Sequence, residues 1–154
     1  MKIIKDTREQ LGWNFPGMEV KTLHTGDYTI EGYENLFVIE RKGKLTEFVN
    51  NLCTQRFEEE LKRLEEFKYS FIICEFEYSD IFKWPLSSGL SQNKVKYIKT
   101  SKYFVLKRVN EILVKYKTKI IFAGKNGADT ASSIFKRVVE NENNVDDNGT
   151  KKDS

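Results

Sequence analysis

Residues 26–42 read GDYTIEGYENLFVIERK, and the fold is decided by how this stretch is divided. Leu36 to Ile39 is a continuous apolar run that ends in Glu40-Arg41-Lys42, the pattern of a buried strand whose end reaches solvent. Upstream, from Glu19 to Ile30, β-branched and aromatic residues recur roughly every second position, so this segment is expected to be a strand too. A hairpin around Glu31 to Asn35 would join the two. Side chains alternate along a strand, so Glu40 and Lys42 share one face, and the hairpin brings Asp27 across from Glu40.

Working outward, Lys2 to Ile4 reads as a first strand that runs into the polar Asp6-Thr7-Arg8-Glu9. Gln10 to Gly17, with Gly12, Pro16 and Gly17, is a loop. After Lys42, the residues Leu45, Phe48, Val49 and Leu52, then Phe57, Leu61 and Leu64, form a helical stripe opposite a face rich in Glu and Lys. One bent helix or two successive ones satisfy it, with Glu58–Lys62 and Glu59–Arg63 in the favourable i, i+4 order. Phe71 to Cys74 is apolar and β-branched throughout, as in a central strand covered on both faces. Tyr78 to Thr100 lacks periodicity and reads as a long loop with room for one short helix. Val105 to Tyr116 marks a helix, Lys119 to Ala123 a buried strand, and Ala128 to Val138 a final helix. Residues 141–154 look like a disordered polar tail. The order predicts one domain over 1–140, an α/β fold with a mixed central β-sheet flanked by helices. Its last two strands, being linked by a helix, should run parallel.

Composition narrows the classes. The 154 residues, 39% hydrophobic and 13% aromatic, suffice for one core and not for two ordinary domains. No repeat, heptad or membrane-length apolar run is present, and the charged N-terminus lacks a signal-peptide core. A cytoplasmic location is expected, nucleoid-associated in a bacterium or in the host cytoplasm for a mobile element. The two cysteines, Cys53 and Cys74, lack metal-site spacing and should be reduced and buried. The formal charge is +3, but residues 140–154 hold five acids and two lysines, which leaves +6 on residues 1–139. A body of that charge can meet phosphate, although many soluble domains are as basic.

A Glu-x-Lys triplet alone reads as an ordinary charged strand end. With Asp27 opposite, two carboxylates face each other and repel unless a cation lies between them, and oxygen donors of this kind suit Mg²⁺ or Mn²⁺. Such a site can bind a scissile phosphate oxygen and activate water while Lys42 orients or helps deprotonate that water and offsets charge, which is phosphodiester hydrolysis. The triplet also has company. Asp6-Thr7-Arg8-Glu9, Gly26-Asp27-Tyr28 and Glu40-Arg41-Lys42, in this order and spacing, closely resemble the nuclease domain of the XPF family of structure-specific endonucleases. The similarity extends over most of residues 2–139, through Leu45 to Arg56, Phe71 to Glu75 and Ile120 to Val139.

This resemblance implies a restriction-endonuclease-like core and a metal-dependent endonuclease acting on branched or flapped DNA in repair, recombination or replication. It makes Asp27 and Glu40 metal ligands, with the Arg41 carbonyl as a third, and Lys42 the water-positioning base. Asp6 becomes a further acid near the metal, while Arg8, Arg41 and Arg56 contact phosphate or brace the site. One departure concerns the aspartate that the family places four residues after the lysine. Thr46 stands there and Glu47 follows: either a one-residue insertion carries the acid, which is the expectation, or Glu47 is a surface residue of the helix. The family's tandem helix-hairpin-helix modules find no room in these residues, so specificity is expected from the groove, a homodimer or an accessory DNA-binding protein. A non-catalytic DNA-binding scaffold and a Holliday-junction resolvase on the same core are the rival readings.

Lys94, Lys96, Lys99 and Lys102, interleaved with Tyr97 and Tyr103, form a candidate phosphate-contacting patch. His24 reads as an ordinary strand residue, and Trp13 and Trp84 as anchors of core or loop.

Overall fold

The computed structural model describes the backbone of residues 1–153 and the side chains of residues 1–146. Six strands form one sheet: β1 (Ile3–Asp6), β2 (Glu19–Lys21), β3 (Tyr28–Ile30), β4 (Phe37–Lys42), β5 (Tyr69–Cys74) and β6 (Lys119–Phe122). Their spatial order is β2-β1-β3-β4-β5-β6. β3 runs antiparallel to β1 and β4, while β4, β5 and β6 are mutually parallel, as helical crossovers require. The helices are α1 (Leu45–Leu52), α2 (Gln55–Leu64), α3 (Tyr78–Phe82), α4 (Gln92–Val95), α5 (Lys102–Lys115) and α6 (Gly127–Asp153).

The expected strand over Glu19 to Ile30 is two strands on opposite sides of β1. The chain turns between them because the buried Asp6 carboxylate accepts the Leu23 N–H at 2.8 Å, a bond that a continuous strand would deny it. Gly26 completes the turn at φ +80°, a left-handed conformation that costs glycine little. A Cβ at Gly26 would stand 2.0 Å from Val38 Cγ2 and 3.3 Å from the Ile39 carbonyl oxygen. Gly26→Ala is therefore expected to destabilise the fold by about 1–3 kcal/mol. Urea unfolding measures this, and an unchanged midpoint would show that the turn relaxes freely.

The sheet carries a core on each face. Val38, Ile72 and Cys74 pack with α1, α2 and α5 through Phe48, Leu61, Val105 and Val109. Phe37, Ile39 and Ile73 pack on the opposite face with Trp13, Tyr28 and the α6 residues Ala131, Phe135 and Val138. Burying side chains of this size contributes about 1.5–3 kcal/mol each. The helical stripe over residues 45–64 is two helices, because Thr54 is extended (φ −103°, ψ 145°) and its hydroxyl accepts the Phe57 N–H that opens α2.

The region from Tyr78 to Thr100 holds more structure than one short helix: α3, a single 3₁₀ turn at Leu86–Ser88, and α4. Buried Trp84 ties it down by donating its indole N–H to the Thr100 carbonyl at 3.0 Å. The disordered tail expected from residue 141 begins instead as a continuation of α6. Glu142 accepts from both Lys68 and Tyr69 at 2.6 Å, and Asn141 donates to the Tyr69 hydroxyl at 2.6 Å. The same expectation for the side chains of 147–154 lies outside the described residues. Both cysteines are free, but Cys53, at the end of α1, is exposed rather than buried. Among the described residues no helix is long and apolar enough to cross a membrane.

Candidate active site

The position of Asp27 follows from the sheet. It immediately precedes β3, its N–H donates to the Ile39 carbonyl at 2.9 Å, and its own carbonyl accepts from the Asp6 N–H at 2.8 Å. Its carboxylate accepts the Arg41 N–H at 2.7 Å, which fixes it at the end of β4 beside Glu40. Glu40 and Lys42 continue the face of Val38, beneath α1 and α2, while the intervening Arg41 turns to the opposite face.

Lys42 is buried, and its side chain is 5% exposed. Its ammonium donates to Asn51 Oδ1 at 2.8 Å, lies 3.5 Å from Glu40 and 3.9 Å from Glu60, and sits 5.2 Å from the centre of the Phe57 ring. Arg41 pairs with Glu75 and, at 3.3 Å, with Glu9, and its guanidinium lies 5.9 Å from the Trp13 ring centre. Arg41, which also lines the cleft, is thus held by two acids at the end of β4. Asp6 is buried with both oxygens engaged, one by Leu23 and the other by the Arg8 backbone and guanidinium. It holds the turn that presents Asp27 and lines the smaller opening to the same acids.

The electrostatics follow. Burial, opposed by the Arg41 N–H and reinforced by the Glu9 charge, pushes the Asp27 carboxyl up to about 7. Burial also drives Glu40 well above the carboxylate range, with the charges of Asp27 and Glu60 adding to it. Lys42 is shifted upward: burial opposes its charge, but Glu40, Glu60 and Asp27 together outweigh it. Asp6 moves down, because the bonds from Arg8 and Leu23 overcome its burial.

Asp27, Glu40, Lys42 and Glu60 line a cleft of about 320 Å³, with Glu47 and the exposed Arg8 and Arg56 at its margin. A second opening of about 170 Å³ reaches the same acids from the other side, past Arg8, His24, Arg56 and Arg63. Lys94, Lys96 and Lys99 are exposed but lie among the linings of neither opening.

Two residues of the cleft were not anticipated, Asn51 and Glu60. Glu60 stands in the Glu-rich run of α2, yet it lies i+3 from Phe57 and i−4 from Leu64, on the edge of the apolar stripe. That phase was the available signal. Thr46, by contrast, is turned away and donates to the Ser88 carbonyl at 2.7 Å.

The donors fit a hard divalent cation, since two buried carboxylates share one spot and Glu60 Oε1 is buried without a hydrogen-bond partner. Among the described residues no group of three or more His, Cys, Asp or Glu is arranged to hold a metal ion. A cation here would rest on Asp27 and Glu40, with carbonyl and solvent oxygens completing its shell.

A family model described as the ERCC4 domain matches residues 4–137. A Methanocaldococcus jannaschii protein named as an ATP-dependent RNA helicase is 30% identical over 140 residues, which cover 88% of this chain and 15% of that protein. The solved structure of XPF from Aeropyrum pernix superposes with a TM-score of 0.62 at 18% identity, covering 90% of this chain and 61% of that one. XPF from the same organism in complex with DNA gives a TM-score of 0.62 at 20% identity, covering 90% and 65%. The chain thus has the restriction-endonuclease-like fold of that nuclease domain, and it spans only a small part of the curated relative's length.

Proposed function

We propose, from the premise that the chain belongs to the ERCC4 domain family, that it is a divalent-metal-dependent endodeoxyribonuclease acting on branched or flapped DNA. The observation that carries this reading is the convergence of Asp27, Glu40 and Lys42 in one open cleft. Repair, recombination or replication is the setting in which such DNA arises.

Asp27 and Glu40 would hold Mg²⁺ or Mn²⁺, which when bound supplies Lewis acidity to a phosphate oxygen and lowers the pKa of water. The chain's own residues do the rest. Lys42, kept as an ammonium by the surrounding acids, donates hydrogen bonds to the attacking water and offsets the charge that gathers on phosphorus. Asn51 fixes the ammonium, and Arg41, paired with Glu9 and Glu75, secures the β4 end from which both reactive side chains project. Arg8 and Arg56 at the margin are placed to take flanking phosphates. The exposed Lys94, Lys96 and Lys99 would add sequence-independent attraction for the backbone, and a homodimer or an accessory DNA-binding protein would supply further contacts. The XPF structure solved with DNA and the relative named as an RNA helicase both support a nucleic-acid substrate.

The test uses labelled flap, fork, four-way junction and linear DNA, with matched RNA, in Mg²⁺, Mn²⁺ or EDTA. Wild type is expected to cut branched DNA in either metal and to stop in EDTA, while Asp27→Asn binds without cutting. Binding without cuts in either metal would replace the nuclease by a DNA-binding scaffold.

A further inference from the structure

We propose that Glu60 is a positioning residue of this centre, holding the Lys42 ammonium from the side of α2 and setting the net charge that a divalent cation meets. The inference rests on the nuclease reading above.

Glu60 projects from α2 into the space above β4, with its side chain 17% exposed and its Oε1 3.9 Å from Lys42 Nζ. It lines both openings to the acids, together with Asp27 and Glu40. Oε1 is buried and receives no hydrogen bond, an expensive arrangement for a residue that serves only the fold. Its neighbours on α2 do otherwise. Glu58 accepts from Arg108 and Tyr116, both at 2.7 Å, and Glu59 is exposed.

Charge gives Glu60 its function. Asp27 and Glu40 together against Lys42 leave one negative charge, and Glu60 makes it two, the charge that a divalent ion neutralises. Glu60 also draws on the ammonium that would otherwise repel such an ion at close range. The acid four residues after Lys42 is absent, since Thr46 is bonded to Ser88. Glu47 is exposed at the margin of the cleft, so the inner third carboxylate comes from α2.

The test compares Glu60→Gln, Glu60→Asp and the exposed control Glu59→Gln with wild type. Cleavage of flap DNA, Mn²⁺ titration by calorimetry and melting of the metal-free protein are measured. Glu60→Gln is expected to lower kcat and Mn²⁺ affinity by about tenfold to a hundredfold, with KM for DNA unchanged or lower. Its metal-free melting temperature should be unchanged or higher, because Lys42 keeps Glu40 and Asn51 as partners and Glu40 is relieved of a neighbouring like charge, and Glu60→Asp should recover part of both losses. Glu59→Gln should match wild type. A lowered melting temperature without rescue by Glu60→Asp would make Glu60 a structural strut and overturn the inference, as would wild-type kcat and affinity in Glu60→Gln. If wild type binds Mn²⁺ yet cuts nothing, the nuclease reading falls alone, and the ratio of Mn²⁺ affinities decides Glu60.

Discussion

Lys42→Met is expected to bind branched DNA as wild type does and to cut it about 10²–10³-fold more slowly. Methionine keeps the unbranched stem that packs against Phe57 while removing the ammonium that touches Asn51 and faces Glu40 and Glu60. The loss should fall on kcat, because Lys42 is buried beneath the cleft and makes its stabilising contact as charge develops. Single-turnover cleavage with saturating protein isolates that step. The metal-free variant should also melt lower at pH 8, since Glu40 and Glu60 lose the ammonium beside them and buried acids are left less compensated. Cleavage within a fewfold of wild type would remove Lys42 from the chemistry and leave it a structural counter-ion.

The second large effect joins pH, stability and metal. Asp27 has an ordinary value of 3.8 and is pushed up to about 7 in the folded chain. Between those values the folded state holds a proton that the unfolded state has released. Stability of the metal-free protein should therefore fall as pH rises from about 4 to about 7, by an amount on the order of a few kcal/mol, and level off above. Glu40 moves in the same direction and deepens the fall. Asp6 acts oppositely, and its contribution is lost only in acid, as pH drops below the ordinary carboxylate range. A divalent ion binds the ionised pair, so Mn²⁺ should stabilise strongly at pH 8 and little at pH 5. Urea unfolding in EDTA and in Mn²⁺ at four pH values checks this, with Asp27→Asn flattening the EDTA curve. Equal stabilisation by Mn²⁺ at pH 5 and pH 8 would contradict the assignment of Asp27 and Glu40 as its ligands.

Local pattern made much of this legible. Strand alternation alone put Glu40 and Lys42 on one face, and the apolar runs located β4, β5 and β6. The hairpin between β3 and β4 set Asp27 beside Glu40. What escaped depended on contacts between distant residues. The division of residues 19–30 into two strands depends on Asp6 reaching Leu23, and the continuation of α6 depends on Glu142 meeting Lys68 and Tyr69. Neither leaves a periodic trace. Glu60 was hidden differently, in a run of three glutamates where one belongs to an ion pair, one to solvent and one to the cleft. The bonds that Asp6 accepts from backbone N–H groups likewise leave no side-chain signature.

The strict two-residue alternation of β4 also governs which lengths of chain the site tolerates. Glu40 and Lys42 reach the cleft, and Arg41 reaches Glu9 and Glu75, only in this register. One residue gained or lost between Phe37 and Lys42 would exchange the two sets, sending the brace into the cleft and the reactive pair into the α6 core. Insertions and deletions compatible with activity are therefore confined to the joints on either side, the turn at Glu31 to Leu36 and the Gly43-Lys44 link. At either joint the chain can change length while the strand keeps its phase.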